Sequence, residues 1–177
     1  MRVLKWSARL LAVAAGALAL GSWLIGSTVP QEHRAARTAC FAAPRAVVWE
    51  AVTIVENQPD WRSGLTAVED VPGSDVRAWR EIGSWGEVTM EEVSATPEER
   101  FVGRIEPGRS DFGGTWTYEL EDCPTGTRLT ITEDGEIYNP LFRLLTRFVW
   151  GYHATQEQYL RDLGQHLGVE VMVERVE

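Results

Sequence analysis

Residues 126–168 read GTRLTITEDGEIYNPLFRLLTRFVWGYHATQEQYLRDLGQHLG, and a change of period inside this stretch decides the fold. Leu129, Ile131 and Glu133 alternate with their neighbours in the two-residue repeat of a strand that buries one face. After Asn139, a capping residue, and Pro140, which suits a first helical turn, the period lengthens. Leu141, Leu144, Leu145, Phe148, Tyr152, Thr155, Tyr159, Leu163 and Leu167 then recur every three to four residues. The spacing predicts a final strand over 128–133 and one long amphipathic helix ending near Gly168. A helix with such a stripe has to lay it on an apolar surface.

The surface comes from upstream. Short β-rich runs occupy 64–71, 76–82, 85–94, 100–106 and 112–120, separated by Pro72 and Gly73, Gly83 and Ser84, Thr96 and Pro97, Pro107 and Gly108, and Pro124 to Gly126. These pairs supply the backbone angles of tight turns, so the runs read as an antiparallel meander. Before them lie a brief strand over 37–42 and a helix opened by Pro44. Val47, Val48, Ala51, Val52 and Val55 line that helix around Trp49, and Asn57, Pro59 and Asp60 stop it. The expected architecture is α+β: a curved, seven-stranded antiparallel sheet wrapped around one long C-terminal helix, with a cleft between them of the kind where pockets form.

The N-terminal part reads differently. No residue from Leu10 to Gln31 is charged, which predicts a transmembrane helix over 10–29, with Trp6 and Trp23 as interfacial anchors. A cleaved signal peptide is the alternative, although the apolar stretch is long for one and Gly26, Ser27 and Thr28 give no clean A-x-A site. A cationic flank, 1–9, precedes it, a linker, 30–36, follows, the folded domain spans 37–168, and 169–177 form a tail. Three of the 17 cations, Arg2, Lys5 and Arg9, precede the apolar run, so the positive-inside bias puts the N-terminus in the cytoplasm. The expected protein is thus a single-pass protein of the cell membrane with its domain on the extracytoplasmic side. There Cys40 and Cys123 either form a disulfide or stay as two unrelated thiols. The expected pairing of the first strand with the last brings them close.

All 26 acidic residues begin at Glu32, so the body is more acidic than the whole-chain charge of −9. Such a body repels nucleic acid and anionic head groups, and no nucleic-acid partner is expected. Lys5 is the one lysine, so arginine clusters carry little meaning. No C-x-x-C or histidine spacing suggests a metal site, and no cofactor motif occurs. His33, His153 and His166 have no Ser, Cys or Asp partner at triad spacing, which leaves nucleophilic hydrolysis without support.

The runs AAPRAVVWEAVT, PDWRSGLTAVEDV, AWREIGSWGEVTMEE, FGGTWTYEL and GTRLTITEDGEIYNPLFRLL, and their spacing to YLRDLG, resemble the polyketide cyclase/dehydrase branch of the START-related helix-grip superfamily, often labelled SRPBCC. The resemblance covers about residues 36–168. It implies a cavity for a hydrophobic or amphipathic small molecule between the sheet and the last helix. An N-terminal anchor departs from the soluble cyclases and favours a lipid-derived ligand.

Within that frame Glu133 is the odd member of an apolar row, suited to general acid or base work or to holding a polar group of the ligand. Arg104 and Arg80 are its expected ion-pair partners if its role is structural. Trp79, Met90, Arg104, Trp116, Tyr118, Ile131, Glu133 and Leu145 are the candidate ligand-binding residues, and Glu133 with Tyr118 the candidate catalytic pair. Trp79 and Arg80 cannot both face inward on a regular strand. Three readings follow: a membrane-tethered domain that binds or transfers a hydrophobic or lipid-like molecule; a cyclase or dehydratase using Glu133; and an interaction module with a vestigial pocket. Oligomeric state is left open by the sequence.

If 10–29 is an uncleaved anchor, the mature protein retains its N-terminus and resists carbonate extraction. An intact mass placing the first residue between Ala19 and Gln31 overturns the anchor.

Overall fold

The computed structural model describes the backbone of residues 2–108 and 110–176 and the side chains from Ala14 onward, apart from Arg109 and Glu177. A long N-terminal helix, α1 (Arg2–Thr28), leads into β1 (Glu32–Phe41), α2 (Arg45–Thr53) and a 3-10 turn (Val55–Asp60). The meander follows as β2 (Leu65–Asp70), β3 (Ala78–Gly83), β4 (Gly86–Thr96), β5 (Arg100–Ile105), β6 (Phe112–Cys123) and β7 (Gly126–Ile137). The chain ends with α3 (Pro140–Leu145), a π-helical turn (Thr146–Trp150), α4 (Ala154–His166) and β8 (Glu174–Arg175).

The strands form one antiparallel sheet in the order β2-β3-β4-β5-β6-β7-β1-β8. It has eight strands where seven are expected. The eighth comes from the segment assigned to a tail: Val169, Val171 and Val173 alternate, pack against the core, and bring Arg175 and Glu174 opposite Arg37 and Thr38 of β1. Val171 lies so close to Gly164 that a Cβ there would sit 2.8 Å from its methyl carbon. The segment assigned to a linker, 30–36, is also mostly strand, because β1 starts at Glu32 and pairs with β7 along its whole length.

The core fills the concave side. Phe41, Leu129, Ile131, Leu160 and Leu163 are wholly buried, together with Val48 and Val52 of α2 and Tyr159 of α4. Burying each large aliphatic side chain contributes about 1.5–3 kcal/mol. The helix that supplies Tyr159, Leu160 and Leu163 is shorter than the periodicity suggests. Gly151 adopts φ 78 and ψ 157, outside any helix, and so the expected helix over 140–167 divides into α3 with its π turn and then α4. The first half of the stripe does not enter the core: Leu141 and Phe148 are 44% and 69% exposed, as are the neighbouring Val149 and Trp150 at 68% and 57%.

Among the described residues no helix is long and apolar enough to cross a membrane. Side chains of α1 are described from Ala14 to Thr28 only. The expected span over 10–29 therefore lies partly outside the described residues. The end of α1 is docked rather than joined through a long linker. A Cβ on Gly26 would fall 2.0 Å from the Pro140 carbonyl oxygen, Val29 is buried, and Arg143 donates to the carbonyls of Val29 (3.2 Å) and Tyr138 (2.9 Å).

Cys40 and Cys123 form a disulfide with a Cα separation of 6.3 Å. The pairing of β1 with β7, and of β6 with β7, brings them together as the sequence suggests. The bridge closes a loop of 83 residues, which in a chain-entropy account stabilises by about 4.5 kcal/mol. Replacing both cysteines by serine is expected to lower the unfolding free energy by about that amount in denaturant titrations. Reductant should then affect only the parent protein. Equal stability of parent and variant shows that the thiols are not linked.

Candidate functional site

A cavity of about 570 Å³ lies between the sheet and the segment 142–155. Val88 and Met90 of β4, Ile105 of β5, Phe112, Trp116 and Tyr118 of β6 and Ile137 of β7 form its apolar wall. Phe142, Thr146, Trp150, Gly151, Tyr152 and Thr155 form the other side. The exposed π turn is thus the outer cover of the cavity, and the volume suits one small molecule.

Two polar groups interrupt this lining. The first is Arg62, from the loop after the 3-10 turn, facing Glu81 of β3. Arg62 Nη1 donates to both Glu81 oxygens at 3.0 Å and to Gln58 Oε1 at 3.1 Å, with side-chain exposures of only 11% and 7% for the ion pair. The guanidinium also lies 5.4 Å from the Trp85 ring and 5.3 Å from the Tyr159 ring. Burial pulls the Arg62 pKa down, but Glu81 and the two phenols Tyr118 and Tyr159 outweigh it and hold the group charged. Trp79 Nε1 donates to Glu81 Oε1 at 3.3 Å, so this carboxylate is answered from two sides.

The second group centres on Glu133. Gln156 Nε2, in the first turn of α4, donates to Glu133 Oε2 at 2.6 Å, and His33 Nε2 of β1 lies 3.5 Å from Oε1. His33 stacks on Tyr152, with ring centroids 4.4 Å apart. It fits because its cross-strand partner is Gly135, where any Cβ would fall 2.4 Å from His33 Cε1. Gln156 Oε1 and His33 Nδ1 are buried with no hydrogen-bond partner among the described residues.

Of the candidate residues, Met90, Trp116, Tyr118 and Glu133 line this cavity. Trp79 and Ile131 lie behind it in the core, at 3% and 0% exposure. Leu145 of α3 is not part of the wall. Arg104 faces solvent and pairs with Glu91 at 2.6 Å, and Arg80 pairs with Glu69 at 3.6 Å, so neither arginine serves Glu133. Glu133 sits opposite Trp116, while Tyr118 sits opposite Ile131. Tyr118 pairs with Tyr159 rather than with Glu133, and burial pushes its phenol well up. Burial therefore keeps the Tyr118 phenol neutral.

The sequence reading misses Arg62, Glu81 and His33. Arg62 follows a turn and reads as solvated; Glu81 has only its place in the run Trp79, Glu81 on one strand face as a signal. Gly135 inside a strand, a mark of close approach by another group, is the clue to His33.

A family model described as "Polyketide cyclase / dehydrase and lipid transport" matches residues 32–168. No curated protein matches. Among solved structures, a START superfamily protein from Mycobacterium smegmatis superposes with a TM-score of 0.62 at 14% identity, covering 77% of this chain and 97% of that one. A protein from Thermus thermophilus gives 0.60 at 23% identity over 77% and 96%. The Zhui aromatase/cyclase from Streptomyces sp. R1128 gives 0.59 at 15% identity over 77% and 92%. At these identities the likeness is one of fold.

Glu81→Gln leaves the Arg62 charge buried and uncompensated and is expected to cost about 3–5 kcal/mol. The double change Arg62→Met with Glu81→Met should recover most of that loss. Urea unfolding of the two variants checks this: equal losses for single and double variants mean that the pair is not electrostatically coupled.

Proposed function

The chain belongs to the polyketide cyclase/dehydrase and lipid transport family, and from that premise we propose that it binds or transfers a hydrophobic, lipid-like small molecule at a membrane. The observation that carries this reading is the cavity: about 570 Å³, apolar over most of its wall, with polar groups at only a few points. A vestigial pocket would be filled by side chains, as protein interiors otherwise are.

The membrane part of the proposal rests on other features. Residues 10–31 carry no charge, and Leu18, Leu20, Leu24 and Ile25 of α1 are exposed. The end of α1 is fixed against α3, whose continuation covers the cavity and exposes Phe148, Val149 and Trp150. Apolar surface on both elements suits a tether that keeps the cavity entrance beside lipid. The Cys40–Cys123 bridge favours an oxidising compartment, in keeping with a domain on the extracytoplasmic side.

Chemistry of the cyclase or dehydratase kind has weaker support. It needs Glu133 and Tyr118 to share a proton path; they are diagonal neighbours on β7 and β6 that line the same cavity, each with a partner of its own, Gln156 and Tyr159.

Thr155 is an exposed cavity-lining residue, so Thr155→Trp should fill the entrance without disturbing the core. Organic extraction of the purified full chain followed by mass spectrometry is expected to yield a bound hydrophobic molecule that the variant lacks at unchanged melting temperature. Equal occupancy in both proteins removes this cavity as the binding site.

A further inference from the structure

Resting on the ligand-binding reading above, we infer that the cavity selects for the charge of its ligand: it takes an apolar molecule whose polar end is cationic or a neutral hydrogen-bond donor, and it rejects carboxylates and phosphates.

The charged groups on the wall decide this. Among the described residues they are Arg62, Glu81, Glu133 and Glu136, with His33 beside Glu133. Arg62 is the one cation among them that is charged at all ordinary pH, and Glu81 matches it at 3.0 Å on two oxygens. An anionic ligand reaching for this guanidinium meets the Glu81 carboxylate already on it. That leaves Glu133 and Glu136 in excess. The first turn of α4 brings roughly half a positive charge to the same end of the cavity, and Glu133, held by Gln156 of that turn, already answers it.

Hydrogen bonding points the same way. A carboxylate offers about four acceptor positions, and the structure gives Glu133 one donor, Gln156, with His33 at a long 3.5 Å. Gln156 is fully buried, and its Oε1 has no donor among the described residues. The amide orientation follows from its neighbour, because turning it would aim the carbonyl oxygen at the carboxylate. Gln156 itself stands behind the cavity wall, so the acceptor presented to a ligand at this end is the Glu133 carboxylate, which has lone pairs in want of donors. An ammonium or hydroxyl supplies them; a carboxylate adds acceptors and like charge. At the other end, Arg62 remains able to donate to a neutral oxygen. The ligand is thus an amphiphile carrying a donor at the Glu133 end, with an apolar body against Met90, Ile105 and Trp116.

Three probes sharing one ring system test this: 1-pyrenemethylamine, 1-pyrenemethanol and 1-pyrenecarboxylate. Binding to the full chain in nanodiscs of zwitterionic lipid is read as energy transfer from the cavity tryptophans, with empty nanodiscs and Thr155→Trp as controls for partition into lipid. The amine should bind at least tenfold more tightly than the carboxylate, with the alcohol between them, and Glu133→Gln should bring amine and carboxylate within about threefold while the alcohol changes little. If no probe binds above the controls, the ligand-binding reading falls, and this inference with it. A carboxylate bound as tightly as the amine overturns the charge selection alone and leaves the cavity as a binding site. A preference that persists in Glu133→Gln removes Glu133 as its source. Should that variant fail to fold, the ranking in the parent protein and the response of Glu136→Gln at the rim decide the matter, no ranking in the parent and no response overturning it.

Discussion

The seating of α4 in the concave face of the sheet constrains everything else in this molecule. Tyr159, Leu160 and Leu163 must be buried, and the surface that buries them is made by Phe41 of β1 and by Leu129 and Ile131 of β7. Two polar residues ride into the interior on the same helix face and have to be satisfied there. Asp162 accepts from the Ser63 backbone and hydroxyl at 2.7 and 3.0 Å and from Gln158 at 2.7 Å, which ties the loop after the 3-10 turn to the helix. Gln156 reaches Glu133. The placement of Arg62 follows, since it belongs to the same loop and lies against Tyr159. One helix seat therefore sets both polar ends of the cavity.

The two ends differ in what they ask of a ligand. The Arg62–Glu81 pair is closed on itself and framed by Gln58, Trp79, Trp85 and Tyr159, so its main contribution is to hold the 3-10 loop, β3 and α4 in one arrangement. A buried pair of this type stabilises little by its presence and costs much when broken. The Glu133 end is open toward the cavity and supported from behind by side chains of β1 and α4. Its geometry depends on Gly135, whose missing side chain admits His33. The outer cover, the π turn, has no buried residue, whereas α3 before it is held by the end of α1. Elements with few buried contacts are the ones that open at low cost, which suits a segment a ligand has to pass.

Legibility in the sequence follows the range of the interaction. Strands β2 to β7 are read to within a few residues because alternation and turn residues are local. The closure of β1 on β7, and with it the approach of Cys40 to Cys123, follows from the order of those elements. The break at Gly151 is hidden because a helical stripe runs on either side of it, and only the positive φ of that residue ends the helix. The eighth strand is hidden because two paired residues leave no periodic signature of their own, although the alternating valines before them do.

The fold class, the antiparallel meander, the apolar stripe of the last helix and the one carboxylate on an inward-facing row at Glu133 are all legible in local residue patterns. These depend on backbone geometry and on burial alternating with the period of each element, both of which are written within a few residues. What surrounds that carboxylate depends on long-range packing. Arg62 and Glu81 lie 19 residues apart and Gln156 lies 23 from Glu133, while His33 joins from the first strand, at the far end of the chain. Whether a charge inside a protein is matched, and by which partner, is settled by which side chains the packed elements bring within about 3 Å, and no local pattern encodes that distance.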